Sequence, residues 1–399
     1  MQPISSAVSA RSARVALTTR PVLAAAALLA LAACADQPAS TAAAPAEAAP
    51  LLSAAPGRGI AGEYIVVLRE GADPTAVSAV AGVRPRQLYD AALTGFAAPL
   101  SPGQLAALRH HPAVAYVEQD QAMSPQWVQS PAPWGLDRID QTALPLNNAY
   151  SYATTAPGVF AYIIDSGILA THPEFGGTAA NVYDAFGGTG TDCYGHGTGV
   201  AGVVGSNTYG VAKDVQLRGV RVFNCSGTGT TSGIIGGVNW VIANHGNPAV
   251  ANLSLGGGFS SALNTAVNNL TASGVFVATA AGNNNGNACN YSPGSAASVA
   301  NVSASTQTDQ HLPGSNWGSC VDLYAPGRNV PTVGLTTTPV LMSGTSIAAP
   351  HVAGTAALVL ATLGGTPASV HGWIVANASP VITGAPPGTT NRLLFKSAL

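Results

Sequence analysis

Val159-Phe160-Ala161-Tyr162-Ile163-Ile164-Asp165-Ser166-Gly167 is an unbroken apolar run that ends on a carboxylate and a Ser-Gly turn. A strand with one face in water alternates apolar and polar residues. A run that is apolar at every position belongs in a sheet covered on both faces. Ala249-Val250-Ala251 and Val275-Phe276-Val277-Ala278 have the same texture, with helical segments between them. The pattern predicts an α/β domain with a mostly parallel central sheet flanked by helices. In such sheets functional groups gather beyond the carboxyl ends of the strands, which makes Asp165 the first candidate.

Two other segments can join it. His196 lies in Gly195-His196-Gly197-Thr198-Gly199-Val200-Ala201-Gly202, where small neighbours let the chain turn into a helix and leave the ring accessible. Ser346 lies in Ser343-Gly344-Thr345-Ser346-Ile347-Ala348-Ala349-Pro350-His351-Val352-Ala353-Gly354, followed by the apolar helix Thr355 to Leu363, which puts the serine at a helix N-terminus. Helix N–H groups and the dipole there favour a developing negative charge. Alone, each residue reads as ordinary: a turn aspartate, a helix-start histidine, a capping serine. Together they supply a nucleophile, a base and the group that fixes the base's tautomer.

The composition points to export. Only 8% of the 399 residues are charged, and the net charge of −2 gives nucleic acid no electrostatic handle. Arg11, Arg14 and Arg20 precede the apolar run Val22–Ala32, a signal segment too short to span a bilayer. Leu31-Ala32-Ala33-Cys34 looks like a lipobox, so residues 1–34 are expected to be removed or to leave an acylated Cys34. Residues 35–59 are rich in Ala, Pro and Ser and read as a linker. Four cysteines follow Cys34, enough for two disulfides in any of three connectivities.

Residues 60–123 read as a small α+β module. Tyr64–Leu68, Gly95–Leu100 and Val114–Glu118 are strands, helices begin at Pro74 and Gln104, and Ser101 is placed to cap the second. The remainder, 124–399, is the α/β domain.

The three motif segments, in the order Asp, His, Ser, resemble the subtilisin-like serine proteases, and within them the proteinase K branch and aqualysin-type enzymes. Pro131-Ala132-Pro133-Trp134-Gly135-Leu136-Asp137-Arg138-Ile139 resembles their mature N-terminus. Asn252 to Gly258 resembles a substrate-pocket segment, and Tyr116-Val117-Glu118-Gln119-Asp120 resembles part of their ferredoxin-like inhibitory prodomain. The resemblance implies a secreted, monomeric serine endopeptidase that acts on polypeptides and is cut from its own precursor between about 123 and 130. Its prodomain would then remain as an inhibitor.

The same resemblance assigns roles residue by residue. Asn283 would donate to the oxyanion. Ser254, Leu255 and Gly256 with Ala280, Ala281 and Gly282 would line the P1 pocket. Gly227, Thr228 and Gly229 would pair with an extended substrate backbone. Disulfides Cys193–Cys225 and Cys289–Cys320 are implied. Calcium is the implied ion, held by Asp322 with the carbonyls of Ala297 and Val299, and by Asp137, Asp140, Gln141 and Asn147. Three positions depart from the family pattern: Gly199 replaces a usual histidine, Ala349 a threonine and Ile347 a methionine. With no sulfur at 347, no sulfoxide can form there.

Two other readings compete. Gly344-Thr345-Ser346-Ile347-Ala348 faintly resembles an esterase nucleophile elbow, but that fold places its acid and histidine after the serine. A non-catalytic binding module would keep the fold but not an activated serine. His351 falls five residues beyond Ser346 and is expected to be structural.

Overall fold

The computed structural model describes residues 47–54, 59–121, 123, 127–397 and 399. The signal segment, the Cys34 lipobox and most of the expected linker lie outside them.

The N-terminal module is a five-stranded sheet in the order Leu51–Leu52, Val114–Gln121, Gly59–Leu68, Gly95–Pro99, Gln87–Tyr89. Helices Pro74–Val80 and Pro102–Arg109 accompany it. Val66, Phe96, Leu108 and Val117 form its buried centre. Ser101 closes a capping box with Gln104, satisfying two helix N-terminal donors at once. The expected linker needs one correction. Its Leu51–Leu52 pairs in parallel with Val117 and Glu118, and Ala49 is buried in the module core, so this stretch belongs to the sheet.

The larger domain carries a seven-stranded sheet with every neighbouring pair parallel. Its order is Leu323–Pro326, Ala300–Ser305, Phe276–Ala280, Ala249–Leu253, Phe160–Asp165, Gln216–Arg221, Ala180–Asp184. Alternate residues of the central strand go to opposite faces. Ala161 and Ile163 pack with helices His196–Gly205 and Thr345–Leu363, while Tyr162 and Ile164 pack with Thr231–Asn244 and Ser261–Ala272. Both faces are covered, which is why these strands carry no polar alternation.

From Phe160–Asp165 the chain first builds outward on one side, through 180–184 and 216–221, and then crosses to 249–253 on the other. That strand is the switch point, and Asp165 is its last residue. Thr345–Leu363 is long and apolar enough to cross a bilayer by length and composition, but it is a core helix with most of its residues buried.

Candidate active site

Asp165 is fully buried and accepts the Ser166 N–H at 2.7 Å. His196 Nδ1 lies 2.8 Å and 3.0 Å from its two carboxylate oxygens. That contact places the proton on Nδ1 and leaves Nε2 as the basic lone pair. Burial opposes the charged imidazolium, but the Asp165 charge and hydrogen bond, with Asp192 beyond, outweigh it and raise the His196 pKa above its ordinary value.

Asp192 holds the histidine's helix in place. Its Oδ1 accepts from Ser166 Oγ and from the N–H groups of Tyr194 and Gly195, each at 2.9 Å. Its Oδ2 accepts from the Thr198 N–H at 2.9 Å and the Thr198 hydroxyl at 2.6 Å. Gly195, the N-cap residue, has no side chain to cap with, so Asp192 meets the orphan donors instead. Asp192 is a functional residue outside the three motif segments, although a carboxylate just ahead of a helix start is a recognisable capping signal.

Ser346 opens the second helix. Pro350, four residues on, has no N–H to give the Ser346 carbonyl, which would otherwise end without its helical partner. The Ser254 hydroxyl donates to that carbonyl at 2.6 Å, and Ser346 Oγ donates back to the Ser254 carbonyl at 3.2 Å. Asn252 Nδ2 in turn donates to Ser254 Oγ at 2.8 Å. The Ser346 segment is thus clasped to the expected pocket segment. The Ser346 hydroxyl bonds to Ser254 here and not to His196.

Asn283 Oδ1 accepts from the Thr345 N–H at 3.0 Å and the Thr345 hydroxyl at 3.2 Å. With its oxygen engaged there, the amide NH₂ is left for the cavity that Asn283 shares with Ser346. The cavity is about 240 Å³ and is walled by Leu255, Gly256, Ala280, Ala281 and Gly282. Gly282 holds φ +101°, and a Cβ there would fall 2.4 Å from Asn316 Nδ2. Buried Asn316 fixes this loop by donating to the Ala281 carbonyl at 2.8 Å and accepting from the Asn284 and Gly286 N–H groups at 3.0 Å. No sequence signal marked Asn316, because its partners lie some thirty residues away.

Gly227, Thr228 and Gly229 form a turn. The Gly227 N–H donates to the Asn224 carbonyl, and the Thr228 N–H donates to the Asn224 side chain. The Thr228 carbonyl accepts the Asn224 N–H. These bonds consume backbone groups of Gly227 and Thr228, so Gly229 offers more to an added strand than its two neighbours. Both expected disulfides are present, with Cα separations of 5.0 Å for Cys193–Cys225 and 5.2 Å for Cys289–Cys320. The first ties the His196 loop to the segment just before Gly227.

His351 is fully buried, and burial lowers its pKa to about 4. Its Nδ1 is 2.8 Å from the Ile347 carbonyl and its ring presses on Gly135. It is a neutral packing residue.

The chain matches the Subtilase family over residues 157–395 and the Peptidase inhibitor I9 family over residues 63–126. The chain is a subtilase. It is 44% identical to the "Extracellular serine proteinase" of Thermus sp. (strain Rt41A), over 92% of this chain and 97% of that one. It is 46% identical to the "Alkaline serine exoprotease A" of Vibrio alginolyticus, over 80% of this chain and 61% of that one. A solved "cold adapted subtilisin-like serine proteinase" superimposes with a TM-score of 0.66 at 48% identity, covering 68% of this chain and all of the other. The subtilase is therefore a serine proteinase enzyme preceded by an inhibitor-type module.

Subtilases imply calcium, and the expected ligand sets fit unequally. Asp137 accepts the Asn147 and Asn148 N–H groups at 3.2 Å and 2.7 Å. Asp140 Oδ2 accepts from Ser151 at 2.7 Å, while its buried Oδ1 accepts no hydrogen bond among the described residues. Burial pushes the Asp140 carboxyl up to about 6, against the Ser151 bond and the Lys396 ammonium. A desolvated carboxylate oxygen of this kind suits a hard cation. Gln141 Nε2 donates to the carbonyls of Ala143 and Pro145, bonds that do not use its side-chain oxygen. Asn147 Oδ1 already accepts the Ala149 N–H at 3.0 Å. At the other site, Asp322 Oδ2 accepts from Asn301 at 2.8 Å and faces His371 at 3.8 Å. No group of three or more His, Cys, Asp or Glu side chains converges among the described residues, so any calcium here leans on carbonyl and amide oxygens.

Proposed function

We propose that the subtilase is a secreted serine endopeptidase in which Asp165, His196 and Ser346 act as the triad. The observation that carries this is the buried Asp165 holding the Nδ1 side of His196, with Ser346 at the neighbouring helix start beside the Asn283 amide. His196 takes the Ser346 proton as Oγ leaves the Ser254 carbonyl and attacks the peptide carbonyl. Catalytic hydrogen bonds often tighten only in the complex with substrate. His196 then protonates the leaving amine, and water releases the acyl group by the reverse steps.

The Asn283 NH₂ and the Ser346 N–H would hold the oxyanion. Asn283→Ala is expected to cut kcat about 10²–10³-fold with KM little changed, a magnitude known from subtilisin itself. A large rise in KM with intact kcat would remove Asn283 from that role. Small residues at 256 and 280–282 leave an apolar P1 side chain room in the 240 Å³ cavity, and pairing with Gly229 reads backbone, so broad specificity follows. A fluorophosphonate tests the whole reading: it should label Ser346 in processed protein, and a protein that takes no label is a binding module.

The module at 60–123 is proposed as an inhibitor in cis, released by self-cleavage between about 123 and 130. The relatives' names and the signal-like N-terminus support export. Intact mass of the native protein reports the cut site and any acyl chain on Cys34. Calcium is assigned to Asp137 and Asp140 as a structural ion. At free calcium of about 100 times Kd it would contribute about 2.7 kcal/mol, and chelation should lower Tm accordingly. If Asp140→Asn still shows the full calcium response of Tm, the ion binds elsewhere.

A further inference from the structure

The chain holds three methionines, Met1, Met123 and Met342, and only Met342 falls within the subtilase segment. Met342 ends the strand Val340–Met342, which pairs antiparallel with Val330–Thr332. Its side chain is half-buried and fills the notch that Gly199 leaves in the helix of His196. A Cβ at 199 would fall 2.3 Å from Met342 Sδ, a hard overlap. The Thr332 hydroxyl donates to the Gly199 carbonyl at 2.7 Å and locks the hairpin to that helix. The replacement of the family's histidine by Gly199 therefore has a partner: the thioether occupies the space.

Met342 also lines a cavity of about 430 Å³ with His196 itself, Tyr194, Leu335 and Val340. Of these lining residues, Tyr194, Leu335 and Val340 are exposed. On the mechanism above, the imidazole delivers a proton to the leaving amine, so the residue following the scissile bond lies nearest this cavity.

We propose that Met342 is an oxidation site that tunes the subtilase's action on substrates extending past the scissile bond; this effect on catalysis rests on the proposed triad. Hydrogen peroxide transfers one oxygen to the sulfur. The O–O bond breaks, water leaves, the sulfur loses two electrons and the peroxide is reduced. The sulfoxide is polar and larger, and on the Gly199 side there is no room for its oxygen. The oxygen must project into the cavity beside His196, which becomes narrower and less apolar. Ile347 offers no sulfur to compete.

The test treats processed enzyme with dilute peroxide and maps its peptides by mass. One added oxygen is expected, on the peptide containing Met342. The kcat/KM for a peptide with leucine just after the scissile bond should fall roughly five- to tenfold. Hydrolysis of an ester that releases methanol should hold, because its leaving group does not reach the cavity. Met342→Leu, whatever its own basal rate, should lose the peroxide response. A Met342 left unmodified at a dose that oxidises free methionine would overturn the proposal. So would a Met342→Leu enzyme that responds to peroxide as the parent does. Protein that takes no fluorophosphonate label before treatment sinks the triad reading, while the oxygen on Met342 still decides the modification.

Discussion

Ser346→Ala is expected to lower kcat for peptide hydrolysis about 10⁶-fold, the size known for subtilisin itself, and to leave the precursor whole. Both effects follow from one atom. On the proposed triad, the hydroxyl at this helix start, with a basic imidazole at hand, is the group that would form the acyl bond. Self-cleavage at 123–130 would use the same bond-forming step. Folding should survive, because Ser346 Oγ makes one hydrogen bond, to the Ser254 carbonyl, and the clasp through Ser254 Oγ to the Ser346 carbonyl does not need it. Mass spectrometry and circular dichroism separate the outcomes. A folded Ser346→Ala chain that still matures normally would mean that another protease makes the cut.

Asp165→Asn should cost about 10⁴-fold near neutral pH, because the carboxylate no longer selects the tautomer with its proton on Nδ1. The pH profile is the sharper readout. His196 must be neutral to act as a base, so activity is lost as pH falls through its pKa. In the wild type that pKa is raised, because the Asp165 charge and hydrogen bond with the Asp192 charge outweigh burial. The acid limb of kcat/KM should therefore lie above the ordinary imidazole value near 6.5. Removing the Asp165 charge leaves burial in control, and the limb should move to lower pH. A limb that stays where it was would show that His196 is not the titrating group.

The chain's first readable feature was the apolar strand with Asp165 at its end, because burial on both faces removes the alternation that would disguise it. His196 and Ser346 stood out as local segments for a similar reason: the requirements on them are short-range, a glycine turn and a helix start. What stayed hidden is what depends on distant partners. Asn316 orders the 281–286 loop from thirty residues away, and Ser254 answers a carbonyl that Pro350 leaves open ninety-two residues on. Leu51–Leu52 passed for linker because two residues carry no period; only their pairing with Val117 and Glu118 reveals a strand. Asp192 is the exception, since its partners are close and its cap was there to be read. The disulfide pairing and Asn283 came from family likeness, since four cysteines and a run of asparagines choose nothing by themselves.

The helix that carries Ser346 has fourteen of its nineteen residues buried. A chain that digests proteins must not digest its own kind, and cleavage needs an extended, exposed backbone that such a helix never offers while the sheet is closed. On the proposed triad, the nucleophile exists only when the domain around it is complete, so an opened copy becomes prey and stops being a predator. Inactivation on heating should then track global unfolding, with amide exchange in 345–363 among the slowest in the molecule.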